Sequence, residues 1–249
     1  MAIEINVREI HGKAKSGMTD PYICTCEDNA QYVVKGNGAG RDGRIKELVC
    51  AALGKQFGLA IPLFRIAYVD SQLLKFNEKR TEVTSCIGEG LCFASRMVKH
   101  PSIVRKEEIE NINIETRCRI LLFDWWIKNM DRSDTNTNLL WTTDGSIKVI
   151  DHNLAFDKDF EEEEFFTRHL FRKDRAMPEV GLNFPQKMSE LAENVLSQFE
   201  AVWDQIPEEW QVNEYGDVAD ESLNYVSVHE ALLGRASLMP EVFGESYDN

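Results

Sequence analysis

No apolar run in this 249-residue chain approaches the ~20 residues that span a bilayer, so a helical membrane anchor is excluded as its organising feature. The opening residues, MAIEINVREI, lack the basic start and apolar core of a secretory signal, and cytoplasmic residence is expected. His11, His100, His152, His169 and His229 show no metal-ligand spacing and no HExxH, which argues against zinc. Gly-x-Ser-x-Gly is missing, and with it support for a serine hydrolase. No Walker A loop, GxGxxG, internal repeat or low-complexity linker occurs. The six cysteines, at 24, 26, 50, 86, 92 and 118, include no CxxC pair. Most lie in apolar runs such as LVCAAL, where Cys acts as a small buried hydrophobe, so structural thiols are expected. Cys24 and Cys26 are expected to point to opposite faces of a strand.

What the chain has in excess is negative charge, and it is unevenly placed. Residues 1–150 carry 21 Lys and Arg against 19 Asp and Glu, whereas residues 151–249 carry 7 against 23, for a net −14 overall. Nucleic acid and anionic membrane both require basic surface, so neither is expected as a partner. The run Glu161, Glu162, Glu163 and Glu164 reads as a solvated helix start.

The first hundred residues are strand-rich. Short β-branched or aromatic runs at 3–10, 21–27, 31–35, 64–70 and 91–98 are separated by Gly, Asp and Asn. One helix is expected among them, over 43–57, with Ile45, Leu48, Val49, Ala52 and Leu53 on one face and a stop at Gly58. Beyond residue 105 the pattern turns helical. Cys118, Leu121, Leu122 and Trp125 form one stripe, and Met188, Leu191, Val195, Phe199 and Val202 another. An α+β chain follows, with an N-terminal lobe over 1–100, a mostly helical C-terminal lobe over 101–249 and chemistry between them.

The chemistry concentrates in FDWWIKNMDRSDTNTNLLWTTDGSIKVIDHNLAFD, residues 123–157. It reads as a helix ending in a polar loop, then two short strands joined at Asp144-Gly145, then Asp151. Asp131 opens the loop, Asn136 and Asn138 close it, and Asp151 follows the apolar strand. Phosphoryl transfer needs such a set: one carboxylate to receive or orient the acceptor hydroxyl, and an amide and second carboxylate to hold magnesium on nucleotide phosphates. Asp131 and Asp134 have two residues between them and follow a helical pattern, unlike the strand-end Asp-x-Asp of haloacid-dehalogenase-type phosphatases.

Upstream, QYVVKG ends a strand on Lys35, a mobile point charge suited to α- and β-phosphates, or an edge lysine guarding a sheet. Glu47 is either its ion-pair partner or a solvent-facing helix carboxylate. The loop GKAKSGMTD at 12–20 is small enough for backbone N–H groups to reach phosphate, with Ser16 and Gly17 the contact candidates. The glycines at 36, 38 and 40 read as a flexible connection.

KNMDRSDTNTNLL followed by IKVIDHNLAF resembles the HipA-like kinases, and more distantly the Asp-Arg loop of phosphoinositide kinases. YVVKG, GLAIP and FASR fall in the same family order, and the resemblance spans roughly residues 10–215. It implies a bilobal, Mg·ATP-dependent kinase fold acting on protein serine or threonine hydroxyls, with toxin–antitoxin or phage-defence contexts common and a cognate antitoxin or operon partner to match. Under it, Lys35 is the phosphate lysine, Glu47 its partner, Asp131 the catalytic aspartate and Asp151 the metal aspartate. Phe93, Ala94 and Ser95 become the hinge that meets adenine. Arg132 stands in for the loop lysine of protein kinases. The metal amide stays open between Asn136, at the usual offset, and Asn138, directly before the strand. Ser16 and Thr19 resemble an autophosphorylation position, against a plain polar turn as the commoner reading. Two further readings share the fold: a silent module that binds nucleotide or protein, and an enzyme that transfers AMP. The acidic C-terminal half favours a neutral or basic protein substrate.

Overall fold

The computed structural model describes residues 4–14, 19–77, 80–176, 180–181, 183–211 and 223–243. Ser16 and Gly17 lie outside these residues. Five strands close into a barrel: β1 (Glu4–Lys13), β2 (Tyr22–Cys26), β3 (Gln31–Lys35), β4 (Phe64–Val69) and β5 (Gly90–Arg96), in the order β1-β2-β3-β5-β4. β1 pairs parallel with β4 and closes the ring, which leaves no open edge among these strands. Strand burial alternates in β2, where Tyr22, Cys24 and Cys26 are all buried. Residues two apart on a strand share a face, so Cys24 and Cys26 point the same way, into the barrel core, contrary to the expectation above. All six cysteines are buried free thiols.

Helix α1 (Gly40–Gln56) follows β3. Its last turn ends at Phe57, and Gly58 takes the left-handed conformation (φ +85°) that terminates helices. The first hundred residues hold two further helices, α2 (Ser71–Lys75) and α3 (Arg80–Cys86). Neither was expected; the Asp70 carboxylate starts the former by accepting from Gln72 N at 2.7 Å, an N-cap. The glycine segment after Lys35 is not slack. It forms a 3₁₀ turn at Asn37–Ala39, and a Cβ on Gly36 would lie 1.9 Å from the Ile87 carbonyl oxygen. Only glycine admits that approach.

Past the barrel come β6 (Ser102–Ile103), α4 (Ile114–Trp126), β7 (Leu139–Trp141) and β8 (Ile147–Val149), the three strands forming a small antiparallel sheet. Gly145 (φ +78°) turns the β7–β8 hairpin. Then follow α5 (Glu162–Arg168), α6 (Phe184–Leu196), α7 (Phe199–Trp203), α8 (Glu208–Gln211) and α9 (Tyr225–Ala236). The long apolar stripe expected over 188–202 is therefore two helices, broken at Ser197-Gln198. The four glutamates before and within α5 are exposed, as expected of a solvated helix start.

Two buried apolar clusters result. One fills the barrel; the other joins α1 to α4 and the C-terminal helices through Phe57, Phe123, Trp125 and Trp126. α8 ties the two parts together. Leu91 at the start of β5 donates its N–H to Glu209 at 2.8 Å, and its carbonyl accepts from Trp210 Nε1 at 3.0 Å and Arg44 Nη1 at 2.9 Å. α1 is thus held between the barrel and the helices, with Glu47 on its inner face. No helix among the described residues is long and apolar enough to cross a membrane.

Candidate active site

Lys35 is the last residue of β3, on the strand face opposite the barrel-core residues Tyr32 and Val34, and it is buried against α1 rather than left at an edge. It is 8% exposed and Glu47 3%. The Lys35 ammonium donates to Glu47 Oε1 and, at 2.8 Å, to Asp151 Oδ1. Three distant stretches of chain therefore meet at one nitrogen. Burial alone would lower the Lys35 pKa, but the charges of Glu47 and Asp151 outweigh it and hold the ammonium above the ordinary lysine range. One cation cannot fully satisfy two carboxylates. Burial raises Glu47 to about 7 despite Lys35, whereas in Asp151 the Lys35 charge and hydrogen bond overcome burial and keep the carboxyl low. Asp151 has φ +63°, an uncommon backbone setting that costs ~1 kcal/mol or more and aims the carboxylate at Lys35.

Asp131 opens the loop after α4. Its Oδ2 accepts from Asn136 Nδ2 at 3.0 Å and from Asn138 Nδ2 at 2.8 Å. Burial, with the Asp151 charge in support, raises its pKa against the pull of those two amides. The two asparagines differ in surroundings: Asn136 is exposed, while Asn138 is half-buried at φ +48° with its carbonyl accepting from Ile150 N at 3.1 Å. Asn138 thus lies against the residue that precedes Asp151.

Arg132 does not face this site. It is fully buried, donating through Nε to Asp124 Oδ2 at 2.6 Å and through Nη1 to the carbonyls of Thr137 (3.0 Å) and Asn138 (2.7 Å). With Nη2 also donating to Asp124 Oδ1 at 3.4 Å, a guanidinium committed to four acceptor contacts in the core cannot replace a phosphate-facing lysine, so that expectation is corrected. Asp124, Asn129 and His169 were not singled out from sequence. A charged residue inside the apolar run LLFDWW was the available signal, since a buried charge requires partners.

Phe93, Ala94 and Ser95 sit in mid-strand, paired with both β3 and β4. Their backbone groups serve the barrel ladder, so the hinge assignment at these residues is corrected: the chain leaves the barrel only after Arg96, through 97–101, on its way to β6. Thr19 lies beside the glycine turn, its carbonyl 2.6 Å from where a Gly38 Cβ would stand. A Lys13–Asp20 ion pair at 2.6 Å and an Ala14 N–Pro21 O hydrogen bond at 2.8 Å join the end of β1 to the start of β2.

A barrel-end lysine held by a helix glutamate, opposite two loop aspartates, is the constellation of a kinase-type phosphotransferase. The chain belongs to the HipA-like kinase family, whose model matches residues 7–237. Among solved structures it is similar to the Golgi casein kinase with Mn/ADP bound, at TM-score 0.59 and 12% identity over 96% of this chain and 72% of that one. It also matches the Helicobacter pylori proinflammatory kinase CtkA at TM-score 0.49 and 9% identity, covering 98% of this chain and 95% of that one. The first likeness carries the kinase fold. A search of curated protein sequences gave no match.

Proposed function

We propose that the protein is a Mg·ATP-dependent kinase that transfers the γ-phosphate to a serine or threonine hydroxyl of a protein. The observation that carries the reading is the convergence of Lys35, Glu47 and Asp151, with Asp131 joined to Asn138 beside Ile150. Two carboxylates share one ammonium there and Asp131 adds a third acidic group within reach of the Asp151 charge, an excess of negative charge that a divalent cation would offset. Hard oxygen donors, one carboxylate and one amide, suit magnesium, which takes few protein ligands and completes its shell with phosphate and water. Bound Mg·ATP supplies the transferable phosphoryl group and neutralises its charge. Asp151 would hold the metal with the amide oxygen of Asn138, and Lys35 would face the phosphates. Asp131 orients the acceptor hydroxyl and takes its proton; a raised pKa suits that work. The Mn and ADP of the structural neighbour support nucleotide and metal use.

On this reading the barrel and the helical part act as lobes over 1–100 and 101–249, with 97–101 meeting the adenine. A cavity of about 280 Å³ beside Met130 has an apolar floor of Leu154, Phe156 and Leu223 and a rim on which Asp42, Asp157 and Asp159 outnumber Lys46 and Lys158. That supports a neutral or basic protein segment as substrate. A cognate antitoxin or operon partner and a cytoplasmic setting belong to the same reading. The test is incubation with a host lysate and Mg·ATP labelled separately at the α and γ positions. Protein-bound γ label on serine or threonine is expected. Transfer of the α label would replace the reading with AMP transfer, and no transfer of either would refute it.

A further inference from the structure

We infer that His169 is a positioning residue for Asp131, acting through a buried hydrogen-bonded chain that runs by way of Asp124, Arg132 and Asn138; the inference rests on the role proposed for Asp131. His169 follows α5 and lies outside the 123–157 segment that carries the recognised motif. It is 2% exposed, and both ring nitrogens are engaged. Phe171 N–H donates to Nδ1 at 3.1 Å, so Nδ1 carries the lone pair and the proton resides on Nε2. Nε2 donates to Asp124 Oδ2 at 3.1 Å. That same oxygen accepts from Arg132 Nε at 2.6 Å, and Arg132 Nη1 donates to the Asn138 carbonyl at 2.7 Å. The Asn138 amide then reaches Asp131 Oδ2 at 2.8 Å. A second branch leaves Asp124 through Asn129, whose amide donates to Oδ1 at 2.9 Å and whose Oδ1 accepts from the Asp131 N–H at 3.4 Å.

Asp124 is fully buried, and an isolated charge there would be costly. Burial works against its ionisation, but Arg132 and His169 overcome that and keep the carboxyl well below its usual range. The cost is met only if all partners stay in register, so the cluster has one arrangement rather than several. Further contacts stitch the 169–172 segment to the loop: Leu170 N donates to the Arg132 carbonyl at 3.1 Å, and Arg172 grips Asp134 through both terminal nitrogens at 3.0 Å. Asp131 is therefore set from a segment about forty residues downstream, beyond the metal aspartate.

The two ring nitrogens can be separated by substitution. His169→Gln places an amide N–H near the position of Nε2 and keeps the donor to Asp124. His169→Asn keeps an acceptor for Phe171 N–H but withdraws the donor. The experiment compares the wild-type chain, both variants and Asp131→Ala for thermal midpoint, Mg·ATP affinity by calorimetry and steady-state ADP release with water as acceptor. His169→Asn is expected to lose about ten- to a hundredfold in kcat with Mg·ATP affinity within about threefold, because misplacement by a fraction of an ångström has effects of that size. His169→Gln should stay within about threefold of wild type.

The Asn138 side-chain amide resonance, followed by NMR in the same samples, should move in His169→Asn and hold in His169→Gln, whatever the turnover. Wild-type kcat in His169→Asn, an equal loss in both variants that tracks only their thermal midpoints, or an Asn138 resonance unmoved in both would overturn the inference. Undiminished ADP release by Asp131→Ala would instead overturn the phosphotransfer reading on which it rests.

Discussion

Lys35 and Asp151 stand 116 residues apart in sequence and 2.8 Å apart in space, joined Nζ to Oδ1. The contact brings the end of the barrel strand β3 to the residue just past the hairpin strand β8. Glu47 completes the triad from α1, so the ammonium serves one buried and one half-buried carboxylate at once. Removing it leaves both without a counter-charge.

Lys35→Met should therefore abolish most turnover while keeping the stem volume. It should also destabilise the fold, by about 3–5 kcal/mol at high pH, because the buried Glu47 carboxylate loses its cation and the half-buried Asp151 loses the same partner. Glu47 ionises with difficulty even in the wild type, at about 7. Without Lys35 the penalty should grow as pH rises through neutrality and shrink as Glu47 takes up a proton. Denaturant unfolding at pH 6 and pH 8 reads this. A penalty independent of pH, or one that Glu47→Gln in the same chain does not relieve, would contradict the assignment.

Asn138 and Asn136 both donate to Asp131, but only Asn138 abuts Ile150. Asn138→Ala should cost about tenfold more activity than Asn136→Ala and raise the Mg²⁺ concentration needed for half-maximal turnover. A magnesium titration of both variants decides it; the reverse order would move the metal ligand to Asn136.

His152 is fully enclosed, stacked edge-on to Phe123 at 5.9 Å, and its Nε2 has no hydrogen-bond partner among the described residues. Burial, aided by the Arg132 charge, lowers its pKa to about 4. The unfolded chain binds a proton below about 6.5 that the folded chain refuses until about 4. Stability contributed by neutral His152 is therefore complete above 6.5 and lost as pH falls towards 4, a difference on the order of 3 kcal/mol. Glu47 acts oppositely between about 4.5 and 7, so the informative quantity is the difference between wild type and His152→Leu. The variant should lose less stability between pH 6.5 and 4; parallel pH profiles would refute the account.

Local pattern carried much of this into the sequence reading. β3 ends at Lys35 as expected, α1 and the β7–β8 hairpin lie where periodicity and the Asp-Gly turn put them, and Asp131, Asn138 and Asp151 come together. What the sequence concealed was long-range. The parallel closure of β1 on β4 depends on strand order, which no local signal encodes. The inward turn of Arg132 depends on Asp124 and His169, whose meeting is set by the packing of α4 against the 169–172 segment. Asn136 and Asn138 look equivalent in sequence because spacing says nothing of which one the hairpin covers. Phe93, Ala94 and Ser95 occupy a strand paired on both sides, a property visible only once the barrel is closed.

The most direct measurement of the central claim is γ-phosphate transfer from Mg·ATP by Asp131→Ala and Asp151→Ala beside the wild type, with Mg·ATP affinity read on the same folded samples. Asp131→Ala should lose about a hundredfold or more in transfer with little change in affinity, because it removes the group that handles the acceptor proton. Asp151→Ala should lose both transfer and affinity, because it removes the metal carboxylate. Wild-type transfer in both folded variants would contradict the claim that this constellation performs the chemistry.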